Sequence, residues 1–80
     1  MPFHPEISAE LKVLTMFNLD TVQAGIKVHK DAEDVTKDAV QRLYHKGLVT
    51  QPDGGYLTEL GRSCAEHLQH AVRILANADA

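Results

Sequence analysis

Apolar positions along the chain fall into helical spacings broken by one short segment that does not. Ile7, Leu11, Leu14 and Phe17 recur at i, i+4, i+7 and i+10, the stripe of an amphipathic helix, with Pro5 suited to its first turn. This predicts a first helix over 5–17. Asp20 followed by Gln23 reads as a capping box, and Val22 and Ile26, four apart, as the buried pair of a second helix over 21–29. Gly25 between them either lets a neighbour approach closely or weakens that helix. A third helix over 32–46 follows, with Asp31 as its N-cap and Glu33 and Asp34 in a first turn where the helix dipole favours negative charge. Its wheel gathers Val35, Ala39, Val40, Leu43 and Tyr44, with Thr36 among them, on one broad face. Asp34, Lys37, Asp38, Gln41 and His45 occupy the other.

The segment 46–62, KGLVTQPDGGYLTELGR, breaks this rhythm and organises the rest. Gly47 suits the left-handed position just past a helix end. Leu48, Val49 and Thr50 lead into Pro52-Asp53-Gly54-Gly55, a turn cluster, and Tyr56-Leu57 lead out. Thr58 is a good N-cap for a fourth helix over 59–76, striped by Cys64, Leu68, Ala71, Val72 and Leu75. The expected fold is therefore mainly α with a small β-hairpin over 48–57. A two-stranded ribbon set between helices is the wing of a winged helix-turn-helix, with a three-helix core and a C-terminal helix in one domain over 1–80.

Residues QRLYHKGLVTQPDGGYLTELGR resemble the end of the recognition helix, the wing and the following helix of bacterial winged helix-turn-helix regulators. There a Leu-x-x-Lys-Gly-Leu-Val segment enters the wing and a Leu-Thr-x-x-Gly segment leaves it. The wider chain, including LDTVQAGIKVHKDAE, is similar to a small uncharacterised bacterial family catalogued only as candidate DNA-binding proteins. The resemblance implies a transcriptional regulator or accessory factor whose third helix enters the major groove of duplex DNA. Asp34, Lys37, Asp38 and Gln41 are then the base-facing candidates, and Lys27, Lys30, Arg42, His45 and Lys46 the phosphate candidates.

Charge argues the other way. The net charge is −3, from 8 Lys and Arg against 11 Asp and Glu, and the span 27–46 is only slightly positive. The hairpin carries Asp53 and no cation, so few phosphate contacts are expected per monomer. The alternative is a non-enzymatic protein-interaction or dimerisation module on the same scaffold. Leu68, Val72 and Leu75, flanked by Ala65, Ala71 and Ile74, give a stripe wider than one contact needs and predict a homodimer through the last helix.

No nucleophile–base pair, phosphate-cradling loop or metal-ligand spacing stands out, so neither catalysis nor a metal or other cofactor is expected, and no small-molecule ligand can be read from the chain. Cys64, the lone cysteine, reads as a small core residue in a reducing compartment. No stretch is apolar enough for a membrane span or a secretory leader, which predicts a cytoplasmic protein.

Overall fold

A computed structural model describes residues 4–20 and 25–77. In chain order the elements are α1 (Pro5–Leu14), β1 (Ile26–Lys27), α2 (Asp34–His45), β2 (Val49–Gln51), β3 (Gly54–Leu57) and α3 (Glu59–Asn77). Among the described residues the fold is mainly helical, with three helices and a three-stranded antiparallel sheet of order β1-β3-β2.

α1 starts where expected. Pro5 fills the first turn, and the His4 ring accepts a hydrogen bond from the Glu6 backbone N–H. The helix ends at Leu14, three residues short of the expected boundary, and Phe17 is buried from the turn that follows. Its inward face is Ala9, Glu10, Val13 and Leu14, while Ile7 is exposed. The predicted stripe was thus rotated by part of a turn, because the helix packs by its small and branched residues against α2.

The second helix is the main correction. Val22 and Gln23 lie outside the described residues, but from Gly25 onward the chain is extended, and Ile26 and Lys27 pair with Gly55 and Gly54 of β3. Ile26 and Val28 are half-buried while Lys27 and His29 are exposed, an alternation of period two that a helix cannot use. Gly25 does admit a close neighbour, but that neighbour is the Gly55 backbone. α2 is therefore preceded by a strand and a turn closed by Ala32 N–H to His29 C=O, and not by the first helix of a helix-turn-helix.

α2 begins at Asp34, with Glu33 in the cap position, so Asp31 does not cap it. Its buried arc is Ala39, Val40 and Leu43; Val35, 63% exposed, and Tyr44 sit at the two margins instead of inside. The helix stops as expected. Gly47 takes φ +84° and donates to Tyr44 C=O while Leu48 donates to Leu43 C=O, the paired bonds of a Schellman ending.

β2 and β3 form the hairpin, turning at Pro52-Asp53. Between the Val49–Leu57 and Gln51–Gly54 pairs the ladder bulges, and the Thr50 hydroxyl accepts from the Tyr56 N–H there. Thr58 then caps α3: its hydroxyl accepts from Gly61 N–H and donates to Gly47 C=O, tying the start of α3 to the end of α2. At the crossing with Leu48, Gly61 is required for space. A Cβ there would overlap the Leu48 carbonyl oxygen and sit 2.8 Å from its carbon. The core these elements enclose is Val13, Leu14, Phe17, Ala39, Val40, Leu43, Val49 and Ala65, with Cys64 and Leu68 packed at its edge.

Candidate functional site

The outward face of α2 is the surface on which a groove-reading helix would act. Asp34 extends into solvent with its side chain 90% exposed, and Glu33, Asp38, Gln41 and His45 are exposed with it. Lys37 does not project beside them. Its ammonium folds back to donate to Lys30 C=O at 2.8 Å and lies 3.4 Å from the Asp34 carboxylate. Three carboxylates with one recruited lysine thus lead this face, which repels a phosphate backbone.

Arg42 and Lys46 face the other way. They are one helical turn apart and converge on Glu10 of α1, which is 6% exposed. Arg42 Nε donates to one carboxylate oxygen at 2.8 Å and Lys46 Nζ to the other at 2.5 Å. Arg42 also donates to Glu6 C=O at 3.1 Å. Burial pushes the Glu10 carboxyl up, but the hydrogen bonds and charges of Lys46 and Arg42 outweigh it and hold the group below the ordinary carboxylate value. The hydrogen bond to Glu10 in turn raises Arg42. These two phosphate candidates are both engaged by Glu10, and through it they join α1 to α2. The sequence carried a signal for it: Glu10 shares its face with Val13 and Leu14, and a carboxylate on an apolar arc calls for a buried partner.

Lys27 and Lys30, the other phosphate candidates, come together beside a cleft of about 610 Å³ between β1 and its following turn, α2 and the hairpin turn. Val40 and Val28 provide apolar wall, Lys37 and Gln41 border it from α2, and Pro52 and Asp53 close the hairpin side. Asp34 and Asp38 are not part of it, so the four base-facing candidates divide between two surfaces.

On α3, Gly61 and Ala65 are buried and Leu68 is half-buried, but Val72 and Leu75, which continue that stripe, are 47% and 72% exposed. Ile74 and Ala71 widen the apolar arc. The helix is anchored just before this point. The Gln69 side-chain amide donates to Leu14 C=O and Phe17 C=O, satisfying carbonyls at the end of α1, and Arg62 donates to Leu19 C=O. Sequence reasoning missed Gln69, since nothing local distinguishes it from a solvated glutamine.

Among the described residues no three His, Cys, Asp or Glu side chains come together as metal ligands, and no helix is long and apolar enough to cross a membrane. A family profile described as "Family of unknown function (DUF5669)" matches residues 1–76, so the chain belongs to that family. No curated protein and no solved structure matches it.

Proposed function

We propose that this DUF5669 chain is a cytoplasmic, non-enzymatic self-association module on a winged-helix-like scaffold, pairing with a second copy through the outer half of α3. Among the described residues the order of helix, strand, helix, hairpin and helix supports the scaffold, with the segment at 26–27 extended where the usual pair has a helix. The observation that carries the reading is the stripe Gly61, Ala65, Leu68, Val72, Leu75. It seats on the body over its first half and runs on uncovered over its second. One continuous stripe can serve both sides of a two-fold pair, because an isologous contact uses the same patch twice.

The expected strength follows from its size. Covering Val72, Ile74 and Leu75 on two copies returns roughly 6–10 kcal/mol gross. Lost translational and rotational freedom takes at least about 4 of this, leaving at most about 2–6 kcal/mol, a dissociation constant of tens of micromolar at the strong end. Sedimentation from micromolar to about 1 mM protein should show a monomer–dimer equilibrium. Val72→Asp with Leu75→Asp should remain monomeric with an unchanged far-UV spectrum. A wild-type mass that stays monomeric throughout, or a variant that dimerises equally, removes the proposal. Capture of an unrelated protein by a monomeric chain would assign the stripe to a different partner.

The second reading, a duplex-DNA regulator, is favoured by Lys27 and Lys30. Both are exposed, and neither side chain has an ion pair or hydrogen bond among the described residues. It predicts duplex binding that weakens steeply with salt and is lost in Lys27→Glu with Lys30→Glu. Absence of binding at low salt rules it out.

A further inference from the structure

The geometry points to the cleft between β1, α2 and the hairpin turn as a binding site for a small phosphate ester, separate from the α3 stripe. Four of the eight lysines and arginines are engaged by carboxylates. Arg42 and Lys46 hold Glu10, Arg62 lies 3.7 Å from Glu66, and Lys37 is near Asp34. Lys27 and Lys30 are different, since both border one concavity without a carboxylate partner among the described residues. Lys37 adds a third ammonium from the opposite wall, held in place by its bond to Lys30 C=O.

The opposing charges are Asp31 and Asp53, one on each rim. Asp53 is held to the β1 side through its backbone, which accepts from Val28 N–H. Lys27 and Lys30, with Lys37 shared with Asp34 outside the cleft, give the lining a slight preference for an anion over its two carboxylates, whereas a neutral or cationic guest would gain nothing from the lysines. Gln41 can donate its amide to the same anion.

The cleft also has apolar wall. Val28 and Pro52 supply it, with the core residue Val40, 1% exposed, behind them. At about 610 Å³ the volume exceeds what a bare oxyanion needs and falls within the range of small-molecule sites. Lysines together with apolar lining suit a phosphate carried on a flat or apolar body. A backbone phosphate of nucleic acid offers the same anion but would leave the apolar wall uncovered.

Adenosine monophosphate, adenosine, inorganic phosphate and a short DNA duplex are suitable probes, titrated into isotope-labelled full-length protein and followed by backbone amide shifts. The nucleotide should give saturable shifts confined to residues around Val28, Lys30, Gln41 and Asp53. Adenosine, lacking the anion, and inorganic phosphate, lacking the body, should each bind about tenfold more weakly. Lys27→Ala and Lys30→Ala lie on exposed positions and should fold normally while each weakens the nucleotide by about tenfold. The proposal fails if the nucleotide shows no saturation up to about 10 mM, or if both lysine variants bind it as wild type does. It fails equally if the duplex saturates these same amides while the nucleotide does not, an outcome that supports the DNA reading.

Discussion

Replacing Gly61 by alanine sets two effects of known sign against each other. Gly61 lies in the first turns of a 19-residue helix, and in an exposed helix interior the exchange gains roughly 1 kcal/mol by reducing the freedom of the unfolded chain. Here the new methyl group would overlap the Leu48 carbonyl oxygen and approach its Cα to 3.2 Å. All three offending atoms are backbone, so no side chain can swing aside. α3 would have to withdraw by about 1 Å, an overpacking strain of about 3 kcal/mol or more. That movement also stretches the Thr58 N–H bond to Leu48 C=O and the Thr58 hydroxyl bond to Gly47 C=O, and loosens Ala65 in the core. The net expectation is a loss of about 2 kcal/mol, or roughly 8–16 °C in melting temperature for a domain of this size. Urea unfolding followed by circular dichroism measures it, with Ser63→Ala as the control at an exposed position of the same helix. The control should hold or gain a few tenths of a kcal/mol. If Gly61→Ala proves as stable as wild type, the close crossing of α3 over Leu48 is wrong.

Glu10→Gln should flatten the acid side of the stability profile. The folded Glu10 value lies below the unfolded one, so its contribution is complete above the unfolded value and disappears as pH falls through the folded value. Urea midpoints taken between about pH 2.5 and 5 should rise less with pH in the variant; parallel profiles would contradict the ion-pair assignment. Gln69→Leu should cost about 1–2 kcal/mol by stranding the Leu14 and Phe17 carbonyls, read from chemical unfolding, and a neutral result would remove Gln69 as the link between α1 and α3.

Features set by a few neighbouring residues could be read from the chain. Gly47 ends α2 in the left-handed conformation, Thr58 caps α3, and Pro52-Asp53 turns the hairpin, each because the local backbone demands that chemistry. The strand at Ile26–Lys27 was obscured because the four-residue spacing of Val22 and Ile26 also suits a helix. Two paired residues show little alternation, and what decides their conformation is the free edge of β3, distant in sequence. Arg42 and Lys46 illustrate the same limit for the site. Their sign was visible, but the carboxylate that binds them lies 32 and 36 residues away. Val35 and Tyr44 stay outside: a helical wheel gives the direction of the apolar arc and not its width, which the size of the neighbouring elements sets.

The central position of β3 has a mechanical corollary. A ribbon attached by one border can pivot, but here β1 grips the other border, and the Val28 N–H bond to Asp53 C=O, 2.8 Å long, stitches the tip to the approach into α2. Tip and approach should therefore shift as one plate. Extra residues spliced between Pro52 and Asp53 would tear that stitch, where a freely projecting loop would absorb them.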